Sequence, residues 1–330
     1  MFGFLKKKLK KSVKLFFATD IHGSDVVFRK FINAGKFYGV EYLVLGGDIT
    51  GKLLIPIVQE NGTYRTNLQG IKEMMNSQEE LDKITKKIEN LGFYWIIVTP
   101  ERVQQLQNDP HERERIFNQL ATERLEKWIA WAEEKLKGTG IRCFITGGND
   151  DSPEVLEPLY RHNSENVIAS EAKLISVGGN HSMIGLGYSN PTPWHTPREA
   201  SEERLEELID ECLKKVQDFG NCIFNFHVPP QNSTLDLCPK LDTSTDPPTP
   251  VYVAGQQVMF GAGSSAVRKA IEKYQPVLVL AGHIHESKGA IKIGRSTVIN
   301  PGSEYGEGVL RGVIVNLTDQ EVIGYQMTSG

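Results

Sequence analysis

The chain has 330 residues, 39% of them hydrophobic, and its 37 Lys and Arg against 41 Asp and Glu give a formal net charge of -4. This balance provides no general attraction to nucleic acid, and no run of about 18 uncharged apolar residues predicts a membrane-spanning helix. The length suffices for one large globular domain with a sizeable core. The four cysteines form no CxxC pair, a pattern that suits a reducing compartment, so we expect a cytoplasmic protein.

The chain opens with a Lys-rich segment, in which six lysines between Lys6 and Lys14 are interleaved with Leu9 and preceded by Phe4 and Leu5. The lysines do not precede an apolar core with a cleavage site, so the segment is not typical of a secretory signal. Two interpretations stay open: a solvated leader, or a short amphipathic turn in weak peripheral contact with an anionic membrane.

Strand-length apolar runs alternate with segments of helical period, which predicts an α/β layered fold. The first elements are a strand in KLFFAT (14–19), a helix in SDVVFRKFINAGKFYG (24–39) and a strand in EYLVLGG (41–47). The helix carries its apolar stripe on residues such as Val27, Phe31 and Ala34.

The stretch of about 51–140 has no place in a minimal strand-helix-strand unit, and we interpret it as an insertion into a single domain of residues 1–330. Asn61 and Gly62 are the pair preferred in a type I′ hairpin turn, and Pro56 predicts that the first hairpin strand lies at a sheet edge. The insertion continues with a helix near 78–90, the apolar run FYWIIV (93–98) and a long helix of about 110–137.

The remaining core strands are predicted in IRCFITGG (141–148), NCIFNF (221–226) and PVLVLAG (276–282). A helix of about 201–217 and a Pro-rich loop (229–250) lie between them. The tail alternates in the manner of antiparallel strands joined by tight turns.

Metal-competent side chains follow five of these strands at the point where each strand ends. The residues are Asp20, His22, Asp48, Asn149, Asp150, His227, His283 and His285. Alone, each is more typical of a turn, a helix cap or a satisfied loop residue. Because ligands bind beyond the carboxyl ends of strands in open α/β sheets, their joint occurrence predicts one shared metal site. An extended chain would point His283 and His285 in opposite directions, so the chain has to bend there.

The residue types narrow the choice of metal. Imidazole, carboxylate and amide ligands together suit manganese, iron, zinc or nickel, whereas calcium prefers oxygen ligands alone. The seven ligands that remain when Asp150 is left aside are too many for one tetrahedral zinc ion. They suit two divalent ions that share a bridging carboxylate, at a separation of roughly 3.5–4 Å.

In chain order these residues stand in the blocks DIH (20–22), GGD (46–48), GGND (147–150), FHVPP (226–230) and GHIH (282–285). The ordered set resembles the calcineurin-like metallophosphoesterase family, whose pattern is DxH, GD, GNH, H and GHxH. PTPWHTP (191–197) and NPGS (300–303) are also similar to a bacterial branch of predicted phosphoesterases.

The resemblance implies a two-sheet β-sandwich flanked by helices, with two metal ions at the strand ends. By position, Asp20, His22 and His285 would hold one ion. Asn149, His227 and His283 would hold the other, and Asp48 would bridge them. The implied activity is hydrolysis of a small-molecule phosphate ester, either a diester or an aryl-type monoester, by a hydroxide between the ions.

One position departs from the family, which usually has a histidine after the metal-binding asparagine to stabilise the phosphate or protonate the leaving group. This chain has Asp150, and an aspartate, which ionises near pH 4 in water, would repel a phosphate. Three outcomes stay open: neighbouring negative charge holds Asp150 protonated, Asp150 orients a metal ligand, or another residue takes the role. His195, in NPTPWHTPRE (190–199), is the candidate catalytic substitute; the alternative is a surface loop with an incidental histidine.

Two other functions compete with the phosphoesterase. A catalytically weak scaffold that keeps the fold to bind protein partners would explain the missing histidine, but it would not need seven metal ligands. A nuclease would need a basic stripe near the site. The one obvious basic cluster, KKKLKK (6–11), precedes the first strand at the end opposite the ligands.

Overall fold

The computed structural model describes residues 12–245 and 247–330. Residues 1–11 of the Lys-rich segment lie outside the described residues, and so does its interpretation as a membrane contact. None of the helices in the described part of the chain has the length and apolar character that crossing a membrane requires.

In chain order, the first elements are β1 (Val13–Ala18), α1 (Asp25–Tyr38) and β2 (Tyr42–Leu45). The insertion contributes β3 (Leu54–Glu60), β4 (Thr63–Leu68), β5 (Ile71–Met75), α2 (Gln78–Asn90), β6 (Tyr94–Val98), α3 (Pro100–Asn108) and α4 (Pro110–Leu136). There follow β7 (Arg142–Ile145), α5 (Pro153–Arg161), β8 (Val167–Ala169), β9 (Ile175–Ser176), β10 (Ser182–Leu186), α6 (Glu202–Leu213) and β11 (Cys222–Phe226).

An arm of short strands comes next, consisting of β12 (Leu237–Pro239), β13 (Leu241–Asp242), β14 (Thr249–Pro250), β15 (Tyr252–Val253), β16 (Gln256–Gln257) and β17 (Met259–Gly261). The last elements are α7 (Ser265–Tyr274), β18 (Leu278–Leu280), β19 (Gly289–Ile293), β20 (Ser296–Asn300), β21 (Arg311–Thr318) and β22 (Glu321–Ser329). Short 3₁₀ turns lie at Phe219–Asn221 and Tyr305–Glu307.

The core strands form two six-stranded sheets. Their orders are β22-β21-β1-β2-β7-β8 and β19-β20-β18-β11-β10-β9. In the first sheet β1, β2, β7 and β8 run parallel, and in the second β10, β11, β18 and β20 do. In the first sheet, strands from early and late parts of the chain meet, since β1 pairs with β21.

Successive side chains of each core strand point to opposite faces of its sheet. One face packs against the other sheet and the other face against helices, which gives four layers. In β1, Leu15 and Phe17 pack against the second sheet, and Phe16 belongs to the cluster under α1 and α4. In β11, Ile223 points to the first sheet while Phe224 packs under α6 and α7. Strands covered on both faces need apolar residues at successive positions, which explains their continuous apolar runs. The predicted two-sheet sandwich flanked by helices is confirmed.

The insertion forms a four-stranded sheet in the order β5-β4-β3-β6. The φ angles of Asn61 and Gly62, 50° and 79°, are those of the predicted type I′ turn. The prediction that Pro56 marks an edge strand is wrong, because β3 lies between β4 and β6. The ladder to β4 begins only at Val58, so the proline, which lacks an N–H, lies where β3 pairs with β6 alone.

The predicted helices near 78–90 and 110–137 are confirmed as α2 and α4. The helix predicted to reach residue 217 ends at Leu213, because the N–H groups of Lys215 and Val216 bond three residues back, in tighter turns. The short helices α3, α5 and α7 and the arm of short strands were not predicted.

Candidate metal centre

The eight metal-competent side chains lie at the carboxyl ends of strands from both sheets. Those after β1, β2 and β7 come from the first sheet, and those after β11 and β18 from the second. The residues therefore meet at one end of the sandwich, across the gap between its sheets. The shared site at the strand ends was predicted from the crevice of open α/β sheets, and the two sheets were implied by the family resemblance.

Six of these side chains form two compact groups. Asp20, His22 and His285 make up one group, and Asp48, His227 and His283 the other. In each group, one ligand-competent atom per residue lies within 4.8 Å of the others. In the first group, for example, His22 Nε2 lies 3.1 Å from His285 Nε2, and His285 Nε2 lies 3.4 Å from Asp20 Oδ1.

The carboxylate of Asp48 lies between the two groups. Its Oδ2 is 3.7 Å from His22 Nε2 and 3.4 Å from His227 Nε2. Its other oxygen, Oδ1, accepts a hydrogen bond from the backbone N–H of Asp150 at 3.0 Å. One oxygen is thus held by the protein, and the other faces imidazoles of both groups.

The backbone at the centre is left-handed at four non-glycine residues. The φ angles are 53° at Asp20, 39° at His22, 48° at Asp48 and 66° at His283. Such conformations cost about 1–3 kcal/mol each and persist where the surroundings hold them, often at functional sites. Backbone bonds hold them here, for example from His22 N to Asp48 O at 2.9 Å. The turn at His283 also supplies the predicted bend that brings His283 and His285 to the same centre.

Two polar atoms point into the centre because the rest of each side chain is already bonded. His227 Nδ1 donates to the carbonyl oxygen of Gly46 at 3.0 Å, which places a proton there and directs Nε2 inward. Asn149 Nδ2 donates to Thr196 Oγ1 at 2.9 Å, which directs Oδ1 inward. Both inward atoms are buried and lack a hydrogen-bond partner among the described residues. Unpaired buried polar atoms are uncommon, and this nitrogen and oxygen fit coordination of a divalent metal ion.

The buried groups shift one another's pKa values. Burial would raise the pKa of Asp20 and Asp48, but the charge of His227 helps to lower both below the usual range. Burial opposes protonation of His227, yet the two carboxylates raise its pKa to about 10. Burial, followed by the charge of His227, lowers the pKa of His283 to about 4. A bound cation would replace the proton that the carboxylates hold on His227.

Asp150 lies beside the centre and pairs with a lysine that the sequence analysis missed. Lys52 Nζ is 2.7 Å from Asp150 Oδ2, and the same oxygen is 3.6 Å from His22 Nδ1. Burial and the charge of Asp48 raise the pKa of Asp150 to about 6, although Lys52 lowers it. Asp150 Oδ1 also accepts from Asn149 Nδ2 at 3.2 Å. The signal available in the sequence was the place of Lys52 four residues after Asp48, in GGDITGK.

The next residue, Asp151, ties the loop after β2 to the loop after β7. Its Oδ1 accepts from the N–H of Thr50 at 2.8 Å and from the Thr50 hydroxyl at 2.5 Å. Its Oδ2 accepts from the N–H of Ile49 at 3.0 Å and of Gly148 at 2.7 Å. Burial and the charge of Asp48 raise the pKa of Asp151. This carboxyl therefore sets the distance between two loops of the centre.

His195 does not belong to either group of the centre. Its side chain is exposed, and its backbone N–H donates to Thr192 O at 3.4 Å. The segment 190–199 nevertheless reaches the centre at two points. Thr196 Oγ1 accepts from Asn149 Nδ2, and the N–H of Arg198 donates to Asn149 O at 3.1 Å. The catalytic role of His195 stays a prediction, and Thr196 is a contact that the sequence analysis missed.

Known proteins were compared by sequence and by structure. No family model matches the sequence. The uncharacterized protein MJ1162 of Methanocaldococcus jannaschii is 33% identical over 163 residues. That match spans 49% of this chain and 64% of the relative, so the chain covers less than two thirds of the relative's length.

Two crystal structures share the architecture over nearly the whole chain. One aligns with a TM-score of 0.58 at 17% identity, covering 96% of this chain and 99% of its own. TT1561 of Thermus thermophilus aligns with a TM-score of 0.50 at 15% identity, covering 97% and 99%. The sandwich carries the five ordered blocks at its strand ends. The architecture is the two-sheet sandwich flanked by helices that the resemblance to the calcineurin-like metallophosphoesterases implied, so that prediction is confirmed for the fold class.

Proposed function

We propose that this chain is a metallophosphoesterase that hydrolyses a small phosphate ester with two divalent metal ions. The observation that carries the proposal is the pair of adjoining Asp/His groups, in which the carboxylate of Asp48 also faces His22 of the other group. A protein that needed only the fold would have no reason to place two buried carboxylates and two buried imidazoles in contact with two half-buried imidazoles.

The proposed ligands follow the two groups. Asp20, His22 and His285 would hold one ion. Asn149, His227 and His283 would hold the other, with Asp48 shared between them. The free His227 Nε2 and Asn149 Oδ1 support this assignment, since each is buried, aimed inward and without another partner among the described residues.

When bound, two such ions polarise the phosphoryl oxygens and generate a nucleophile from water at neutral pH. The chain supplies the positioning. Gly46 O holds the ring of His227, Thr196 holds the amide of Asn149, and the N–H of Asp150 holds Asp48. Contacts of this kind fix ligand orientation and strengthen metal binding.

We propose a diester or an aryl-type monoester as substrate and manganese, iron, zinc or nickel as the metal. The domain would be single, and its insertion of about 51–140 would help to determine which ester fits. Bis(4-nitrophenyl) phosphate and 4-nitrophenyl phosphate represent the two substrate classes.

The test is to strip the purified protein with a chelator, reload it with each metal and measure both hydrolysis and bound metal. We expect about two ions per chain and metal-dependent release of nitrophenolate. His227→Ala should lose metal and activity together. His111→Ala, which changes an exposed histidine in the first turn of α4, should lose neither. Metal binding without hydrolysis of either ester would favour the catalytically weak scaffold, and a protein that binds no metal would end the proposal.

A further inference from the structure

The ion pair between Lys52 and Asp150 lies at the rim of the metal centre. The side chain of Lys52 is 45% exposed and that of Asp150 13%, so the ion pair lies where solvent meets the centre. Asp150 Oδ2 contacts Lys52 Nζ at 2.7 Å and lies 3.6 Å from the ring of His22. A substrate approaching the centre from solvent would therefore meet the ammonium group.

The backbone that leads to Lys52 is fixed from several sides. The carboxylate of Asp151 accepts hydrogen bonds from the N–H groups of Ile49 and Thr50, which precede Gly51. The N–H of Gly51 donates to the hydroxyl of Tyr94 at 2.9 Å. A Cβ on Gly51 would lie 1.8 Å from Gly92 O. Glycine is therefore needed at position 51 for the turn that carries Gly92 to come this close. The fixed backbone leaves the long side chain of Lys52 as the part that can adjust to a ligand.

We propose that Lys52 binds the non-bridging phosphoryl oxygens of the substrate, in the role left open by the missing histidine, and that Asp150 positions it. This inference rests on the proposed function, because it names a further residue of the same site. An ammonium is a compact positive charge with three donors, which suits the spread of negative charge over a phosphoryl group.

The pairing also accounts for a carboxylate beside a phosphate site. Asp150 alone would repel the substrate, but its charge is balanced by Lys52 at 2.7 Å. During hydrolysis a P–O bond to the water oxygen forms and the P–O bond to the leaving group breaks. The attacking water loses a proton to solvent, the departing oxygen can take one from solvent, and Lys52 stays protonated throughout.

The test compares Lys52→Met and Lys52→Arg with the wild type and with Lys83→Met. Lys83 is a matched control, since it also forms a 2.7 Å ion pair, with Glu79, on the exposed face of α2. Three quantities are measured for each variant: kcat/KM for bis(4-nitrophenyl) phosphate, the calorimetric dissociation constant of inorganic phosphate, and bound metal.

We expect Lys52→Met to lower kcat/KM by about 10²- to 10³-fold, the usual effect of removing one group that stabilises developing charge. The dissociation constant for phosphate should rise by about 10-fold or more, as expected for one lost charge-assisted hydrogen bond. Bound metal should stay at the wild-type level, Lys52→Arg should retain most of both functions, and Lys83→Met should match the wild type.

The positioning role of Asp150 has its own readout. Asp150→Asn removes a negative charge, so phosphate should bind at least as tightly as in the wild type. The released ammonium should nevertheless lower kcat, a split that a purely structural ion pair would not produce.

An inactive wild type with every metal would refute the proposed function but would leave the phosphate measurement to decide on Lys52. An active wild type whose Lys52→Met variant keeps both its kcat/KM and its phosphate affinity would refute the inference about Lys52 alone.

Discussion

The carboxyl of Asp151 offers the sharpest test of how the centre is held together, through the substitution Asp151→Asn. The side chain is fully buried and accepts four hydrogen bonds, two at each oxygen. An amide has one accepting oxygen, so its NH₂ group must face either the two Thr50 donors or the N–H groups of Ile49 and Gly148. If the NH₂ group faces Ile49 and Gly148, both of those N–H groups lose their acceptor. If it faces Thr50, the hydroxyl can turn to accept from the amide and only the N–H of Thr50 loses its acceptor, so at least one buried backbone donor is left unpaired.

A lost hydrogen bond that leaves a buried donor unpaired costs about 1–3 kcal/mol. Removing the negative charge beside Asp48 offsets part of this cost, so we expect the free energy of unfolding to fall by about 1–2 kcal/mol. Because Asp151 joins the loops that carry Asp48 and Asn149, metal affinity should fall by about 10- to 100-fold. Urea unfolding of the metal-free protein measures the first effect, and metal retained after dialysis against a weak chelator measures the second.

Asp109→Asn is the matched control. Asp109 also accepts from a backbone N–H, that of Glu112, but it caps α4 at the surface, where Asn serves about as well as Asp. We expect that variant to stay within about 0.5 kcal/mol of the wild type. If Asp151→Asn unfolded and bound metal like Asp109→Asn, the two loops would have to be held by other contacts, and the argument from its four hydrogen bonds would fail.

Three further outcomes are expected. Asp150→His should keep the bound metal, measured by elemental analysis, but change the rate; loss of metal would make Asp150 structural. Without an imidazole acid beside Asn149, turnover should be faster for aryl than for alkyl phosphates in a steady-state comparison, and equal turnover would contradict this. Tyr94→Phe leaves the buried N–H of Gly51 unpaired and should lower the free energy of unfolding by about 1–3 kcal/mol in urea titrations; an unchanged midpoint would show that another group accepts this N–H.

Local patterns were sufficient to predict the elements that build the centre. β1, β2, β7, β11 and β18 were recognisable because both of their faces are buried, which gives uninterrupted apolar runs. The polar blocks that follow them were recognisable because Asp, Asn and His side chains come directly after these apolar runs. Local patterns alone could not indicate which strand belongs to which sheet, since that depends on pairing across the whole chain; the two-sheet sandwich was predicted only through the family resemblance.

The misses have a common physical cause. Pro56 was assigned to an edge because its missing N–H was considered without the partner strands. The ladder to β4 ends before it reaches Pro56, and Pro56 pairs with β6 alone. Lys52 was overlooked because its place depends on Asp150, Asp151 and Tyr94, which lie about 40 to 100 residues further along the chain. The catalytic role of His195 stays a prediction, and the loop that carries it meets the centre through the hydroxyl of the next residue.

The close approach of the insertion to the centre limits how this molecule can be re-engineered. A Cβ on Gly92 would lie 2.0 Å from His22 O, just as one on Gly51 would meet Gly92 O. Three stretches of main chain therefore come into contact at one place, and a bulkier residue there would displace His22, a proposed metal ligand, together with Lys52. Substitutions or insertions meant to change substrate selectivity should therefore be made in the edge strand β5 or in α3. The turn that carries Gly92 should be kept unchanged.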